Sequence, residues 1–386
     1  MGNLNDDTVL EVISCFRPRD AVRCKSLNKN FNAYISNQRF AHEHFVKSSH
    51  KVCNLIHFSN TSPNVFYQLR LDPPYPFDML EIYEILPIQV PILASCGGLL
   101  LLHVLSYKNY CVFNPITGEF QLVSKGNHDG WIAGPVGLAV DSSTDSFTIR
   151  LIAVHVKEDQ SQVNQVCKFT TFTVGSNKWE EIHIEFVCKS SKLSRNTQPV
   201  YFHGSLHWLR EDGDILAFDI RKCQARIIQG PGNKTSIMQF GYDIWFGGVQ
   251  GSLAFVSAFQ EEIVISVYHY ENKEWQIRHI IENISNTRNN NYRNGIPMFF
   301  DGKRLSFLLR KRGEDGEIYM HNISTKSWRK IGLVPETADC IQNFIPFAPT
   351  MAKVAGVYLH DQMTQLSLAS EIKESLNGLY ELMKPM

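Results

Sequence analysis

Apolar positions along the chain change period twice. Val9, Val12, Ile13 and Phe16 recur at the three-to-four spacing of one helix face. Arg17-Pro18-Arg19-Asp20 interrupts that helix. Asp6 and Asp7 are placed to cap the first helix and Asp20 the second. Ala21, Val22, Leu27, Phe31, Tyr34 and Ile35 then supply apolar positions for two more short helices around Asn28 to Asn30. From Val52 to about residue 350 the period falls to two, in short apolar runs parted by Gly, Asn, Ser, Thr and Pro, which predicts strands and tight turns. Helical spacing returns at Leu366, Leu368, Ile372, Leu376, Leu379 and Leu382 and predicts a tail helix of about fifteen to twenty residues. A helix so patterned is expected to dock on the body, near the N-terminal helices, with a free helix that binds another protein as the alternative.

The strand region repeats. Each unit joins a strand, a Gly-containing turn and an apolar strand to a second apolar strand, a polar turn and an aromatic that opens a further strand. The units are 95–102 with 111–123, 136–154 with 168–182, 199–209 with 215–228, 248–259 with 263–281, and 297–309 with 316–331. Their second parts read VFNPITGEF, FTTFTVGSNKW, AFDIRKCQA, VYHYENKEW and MHNISTKSW, ending on Phe120, Trp179, Ala225, Trp275 and Trp328. A period of roughly fifty residues with about four strands per unit is the pattern of kelch-like propeller blades. The aromatics are expected to wedge against the neighbouring blade rather than to serve a ligand. A sixth blade shared between 52–71 and 340–353 would close the ring and leave no open sheet edge.

The first forty residues are too few to be stable alone, so they are either a cap on the propeller or a module that docks on a partner. Leu4, Asp6, Asp7, Leu10, Ile13, Arg23-Cys24-Lys25-Ser26-Leu27-Asn28-Lys29-Asn30-Phe31, Tyr34-Ile35-Ser36 and Phe40 resemble a plant F-box. The stretch departs from that pattern at Asn5, where Pro is usual, at Arg17-Pro18-Arg19, and at Phe31, where Trp is commonest. Ser95-Cys96-Gly97-Gly98-Leu99-Leu100, Asn114-Pro115-Ile116-Thr117-Gly118-Glu119-Phe120 and Val200-Tyr201-Phe202-His203-Gly204-Ser205-Leu206-His207-Trp208-Leu209 resemble the plant F-box-associated domain. The two resemblances, in this order, span roughly residues 3–350.

Composition narrows the function classes. The chain has 386 residues, 38 Lys plus Arg against 38 Asp plus Glu, which gives no charge excess to attract nucleic acid. Its nine cysteines are odd in number and contain no Cys-x-x-Cys, as reduced thiols of a cytoplasmic or nuclear protein would be. The most membrane-like window, 85–105, holds Pro87, Pro91, Gly97 and Gly98 and reads as strand–turn–strand. The N-terminus lacks a basic-then-apolar targeting signal.

No motif carries chemistry. His42-Glu43-His44 puts its histidines on different helix faces and reads as a solvated helix end. His203 and His207 flank a turn at Gly204-Ser205 and belong to the family's turn pattern rather than to a metal site. Gly230-Pro231-Gly232-Asn233-Lys234-Thr235 lacks phosphate-loop spacing. The polar segment 283–295, with Arg288, Tyr292 and Arg293, is either a surface loop or a target-contacting one. Arg17, Arg19, Arg23, Lys25 and Lys29 face either solvent or the acidic adaptor that the resemblance implies.

The expectation is therefore a mainly β chain with a small α domain: a three-helix F-box over 1–45, a kelch-like β-propeller of five to six blades over 46–350, and a tail with an amphipathic helix over 351–386. The resemblance implies a non-catalytic substrate-recognition subunit of a Skp–cullin–F-box ubiquitin ligase, without cofactor or metal. The helices would contact a Skp-type adaptor, and through it cullin and RING subunits, by way of Leu4, Leu10, Ile13, Val22, Leu27 and Phe31. The propeller would hold a protein target. The alternative is a propeller interaction module without a ligase role. The target itself is not written in the sequence.

Overall fold

The computed structural model describes residues 6–48, 54–58, 65–70, 80–84, 90–105, 108–126, 132–141, 147–158, 163–176, 178–194, 197–232, 244–259, 261–284, 292–311, 314–334, 344–354, 357–358 and 368–383. Leu4, Asn5 and most of 283–295 fall outside them. Among the described residues the strands form six antiparallel sheets, the blades of a six-bladed propeller.

Blade one runs from its inner strand Ile92–Cys96 through Leu99–Val104 and Asn109–Phe113 to its outer strand Glu119–Ser124, whose free edge pairs with the short strand Val357–Tyr358. Blade two is Gly137–Asp141, Thr148–Glu158, Asn164–Thr173 and Glu180–Lys189, with Ile132–Ala133 extending the inner edge. Blade three is Val200–Phe202, Ser205–Leu209, Ile215–Asp219 and Gln224–Ile228. Blade four is Ile244–Val249, Ser252–Ala258, Glu262–His269 and Glu274–Glu282. Blade five is Tyr292–Phe300, Arg304–Lys311, Gly316–Asn322 and Ser327–Val334. Tyr292 to Gly295, read from sequence as part of a loop, thus belong to a strand.

Blade six takes its inner strand, Ile345–Phe347, from late in the chain and its other three, Asn54–Phe58, Val65–Arg70 and Leu80–Glu84, from early in it. Ile56 pairs with Ile345 and Asn54 with Phe347. The shared sixth blade expected from sequence closes the ring and pairs edges that would otherwise recruit other chains.

In blades one, three and five the repeated polar turn has one physical basis. The side chain of Asn114 accepts from the backbone N–H of Ile116 at 2.8 Å, Asp219 from Arg221 at 3.0 Å, and Asn322 from Ser324 at 2.9 Å. Each side chain thus mimics a backbone turn. A left-handed residue follows each, at Gly118 (φ 73°), Cys223 (φ 50°) and Lys326 (φ 51°).

Among the described residues five α-helices accompany the blades: α1 Asp6–Ser14, α2 Pro18–Arg23, α3 Lys29–Ile35, α4 Gln38–Ser48 and α5 Leu368–Met383. The sequence predicted three N-terminal helices and the structure has four. The apolar positions of α4 (Phe40, Ala41, Phe45) are interrupted by His42 and Glu43, which hid its period. Asp20 does not cap α2. Pro18 occupies the first turn, where its missing N–H costs nothing, and Asp20 lies inside that turn. Asn28 caps α3, its side chain accepting from Phe31 N at 2.7 Å. Helix α5 buries Ile372, Leu376, Leu379 and Met383 among Leu100, Leu102, Phe113 and Phe120 of blade one and Ile56, Ile345 and Phe347 of blade six. It packs there, away from the core of the N-terminal helices. Among the described residues no helix is long and apolar enough to cross a membrane.

Candidate functional site

Helices α1 to α4 close a small core of their own from Ile13, Ala21, Phe31, Ile35, Phe40 and Ala41. Helix α4 is tied to the end of α1 by His44, which donates from Nε2 to Phe16 O at 2.8 Å. His44 is fully buried and His42 lies on Phe147 at 5.4 Å, so His42-Glu43-His44 is an internal joint and not the solvated end expected from sequence.

This core divides the expected adaptor contacts. Ile13 (2% exposed) and Phe31 (9%) are inside it and hold the helices together. Leu10 and Val22 are half-buried at its edge. Leu27 is 66% exposed. Val12 (51%) and Phe16 (39%) share the surface with Leu27 and were missed as surface positions. Their spacing from Val9 and Ile13 marked the helix but not which of its apolar side chains the neighbouring helices would cover. Leu4 lies outside the described residues.

The helical unit is built into the propeller. Phe45 of α4 packs with Leu99, Leu101 and Val140 across blades one and two, and meets Phe147 edge-on at 5.0 Å. Met351 joins the core of the helices. Lys353 Nζ donates to Ser36 O. The segment 350–354 is a strap between the two parts. Thr350 Oγ1 donates to Gly97 O at 2.6 Å, Asn114 Nδ2 donates to Ala352 O at 2.6 Å, and Glu119 accepts from Val354 N at 2.6 Å. The Gly97-Gly98 pair now has a reason. A Cβ on Gly97 would come to 2.7 Å from the Phe45 ring, and one on Gly98 to 2.2 Å from Thr350 Oγ1. The tight turn leaves room for the helices and the strap to sit on it.

Of the basic residues, Arg17, Arg23 and Lys29 are exposed. Lys25 instead turns toward the strap, where burial and the nearby Lys353 charge lower its pKa while Glu119 opposes them.

The helices meet the inner-to-second turn at Gly97-Gly98, and the strap that carries them meets the third-to-outer turn at Asn114. Because each strand reverses direction, the second-to-third turns and the blade-to-blade connections lie on the opposite face. The two flanks of 283–295, at Asn283 and at Tyr292, are on that opposite face, while 285–291 lies outside the described residues.

A cleft of about 470 Å³ lies on the helix-bearing face between blades two and three, lined by Asp141, Tyr201, His203, Asp219, Arg221 and Lys222. The guanidinium of Arg221 binds both Asp141 oxygens, at 3.0 Å from Nη2 and 3.2 Å from Nε. Its strongest charges are therefore spent on tying two blades. His207 is fully buried. Val200 O can only accept, so Nδ1 carries the proton at 3.2 Å and Nε2 accepts from Tyr270 OH at 3.2 Å. Burial pushes its pKa down to about 4. His203 stacks on Tyr270 at 5.0 Å. This is a packing arrangement. Among the described residues no three His, Cys, Asp or Glu side chains group so as to hold a metal ion.

Comparison with known proteins agrees with this architecture. Residues 43–227 match the F-box associated beta propeller domain. A protein of Arabidopsis thaliana provisionally named an F-box protein is 28% identical over 358 residues, which cover 86% of this chain and 81% of the relative. Two others from the same plant, provisionally named F-box/kelch-repeat proteins, are 28% identical over 364 residues (90% and 77% covered) and 23% identical over 384 residues (91% and 88% covered). Residues 43–227 are thus similar to an F-box-associated β-propeller domain, and most of the chain is similar to plant proteins provisionally named F-box proteins.

Proposed function

We propose that the chain is the substrate-recognition subunit of a Skp–cullin–F-box ubiquitin ligase in the cytoplasm or nucleus. Helices α1 to α4 act as the F-box, and Val12, Phe16 and Leu27, with Leu10 and Val22 at their margin, dock on a Skp-type adaptor. The observation that carries this reading is a helical unit whose core is closed, with Met351 of the strap joining it, and which still exposes three large apolar side chains. The exposed Arg17, Arg23 and Lys29 suit an acidic partner surface. The propeller face opposite the helices presents the protein target. The chain contributes no reactive group; it raises the effective concentration of a target lysine near a charged conjugating enzyme.

Co-purification with a plant Skp-type adaptor tests the reading, with wild type beside a Val12→Asp, Leu27→Asp pair. Both positions are exposed, so the pair leaves the fold intact while placing carboxylates in the interface. Wild-type binding lost in the pair supports the proposal. Equal binding by both, or none by either, sinks it.

A further inference from the structure

Blades one and two, and blades three and four, are joined by a tryptophan from the outer strand of the later blade. Trp179 Nε1 donates to Ser124 O and Trp275 Nε1 to Gln229 O, both at 2.7 Å. Blade three has Ala225 at that position. The corresponding carbonyl of blade two, Lys189 O, is taken instead by Arg210 Nη2 from the second strand of blade three. Arg210 is 2% exposed, lies 3.4 Å from Asp212, and keeps a buried Nε–H without a hydrogen-bond partner. A buried cation thus stands where those two interfaces hold a neutral indole.

Two thiols lie beside it. In blade two Cys167 pairs with Phe186 and Gln165 with Cys188, so the cysteines are diagonal neighbours on one side of the sheet. Gln165, 2% exposed, places its Nε2 at 3.6 Å from Cys188 Sγ and 3.9 Å from Cys167 Sγ. Cys167 is fully buried, whereas Cys188 is partly open. The hydrogen bond from Cys167, the Arg210 charge and the Gln165 amide favour the Cys188 thiolate, while the same bond and burial keep the proton on Cys167. A partly open thiol near a cation, with a second, buried thiol one diagonal away, is the arrangement of an oxidisable cysteine and its resolving partner.

We propose that Cys188 and Cys167 form a reversible oxidation site for peroxide. The Cys188 thiolate attacks one peroxide oxygen, the O–O bond breaks, hydroxide leaves and Cys188 becomes a sulfenic acid. The Cys167 sulfur then attacks the Cys188 sulfur, the S–O bond breaks and the oxygen departs with the Cys167 proton as water. Two thiols lose two electrons, and one peroxide, with two protons, becomes two waters. Closing the disulfide draws a diagonal pair together. A β-bulge next to Cys167 raises the local twist, and the outer strand has a single sheet neighbour, so it can yield.

The site reaches the face opposite the helices. Gln165 Oε1 accepts from Ser191 N at 3.2 Å. Segment 190–194 is in turn stitched to the turn at Arg210, with Ser194 N on Leu209 O at 2.8 Å and Glu211 N on Lys192 O at 2.9 Å. Moving the sulfurs moves Gln165 and these loops, whatever protein that face binds.

The test is hydrogen peroxide titration of the reduced full-length chain at neutral pH, followed by alkylation and peptide mapping. The expected result is a Cys167–Cys188 disulfide, reversed by dithiothreitol, forming about tenfold faster than oxidation of the exposed Cys15 and Cys223. Cys167→Ser should stop at a sulfenic acid on Cys188 that dimedone traps, and Cys188→Ser should leave Cys167 reduced. Oxidation of Cys15 or Cys223 before Cys188, or a wild-type disulfide joining other residues, overturns the proposal. The wild-type map decides the matter even if a serine variant fails to fold.

Discussion

Trp275 donates from Nε1 to the carbonyl of Gln229 at 2.7 Å, across the boundary between blades four and three. The indole also packs edge-on against Phe255 at 6.1 Å. It therefore joins the polar edge of one blade to the next and covers the core of its own. Trp275→Phe keeps the ring and removes the donor. It is expected to cost about 1 kcal/mol, read as a lowered urea midpoint with an unchanged slope. Trp275→Ala loses packing as well, and should cost about 3 kcal/mol.

Gly98→Ala should act at a distance from any blade core. Gly98 sits at φ 76°, and its added Cβ would lie 2.7 Å from Thr350 N. Backbone strain and the displaced strap together should cost about 3 kcal/mol. Limited proteolysis reads the effect directly, since 350–354 should become cleavable while the strands of blades three to five stay protected.

The division within the helical unit predicts two classes of variant. Phe31→Ala opens a cavity in the core of the helices and should cost about 3 kcal/mol, with loss of helical ellipticity before the propeller melts. Ile13→Asp should behave alike because it buries an unpaired carboxylate. Val12→Asp and Leu27→Asp should shift the melting temperature by under about 2 °C, because surface changes cost within about 0.5 kcal/mol. A calorimetric scan of the four variants separates the classes.

Stability should fall on mild acidification. The folded pKa of His207 is pushed to about 4, below its ordinary value of 6.5, chiefly by burial. Between those values the unfolded chain takes up a proton that the folded chain refuses. The contribution is therefore complete above about pH 6.5 and is lost as pH falls toward about 4, worth about 3 kcal/mol in full. His103, His279 and His321 are lowered as well, by burial first, and act in the same sense. Urea unfolding at about pH 7.5 and about pH 5 should show the loss, and His207→Gln should flatten it. An equal slope in that variant would assign the effect to other groups.

The blades were legible because most units repeat part of one local cause. The Asx side chain, the left-handed residue and the aromatic all act within ten residues of one another, so the sequence displays them together. The closing blade could also be read, since two leftover strand-like segments had nowhere else to pair. Other features depend on distant partners. Arg210 replaces the missing tryptophan near Ala225 from another strand, and no local pattern announces such an exchange. The apolar spacing of Val9, Val12, Ile13 and Phe16 defined a helix, but burial was decided by α2, α3 and α4, so Ile13 went inside and Val12 outside. The position of α5 followed from an uncovered face of blade one that only the assembled ring creates.

The sixth blade also sets an order of events during synthesis. Asn54–Phe58 leaves the ribosome early and then waits for Ile345–Phe347 before its inner edge is paired. The strap at 350–354 and helix α5 arrive later still. A chain released before residue 345 therefore carries an open strand edge, an uncovered apolar sheet face and helices without their lower support, all of which invite aggregation and proteolysis. The ring in this way acts as a gauge of its own completion. The helices reach their final seat only on a polypeptide translated past the strap.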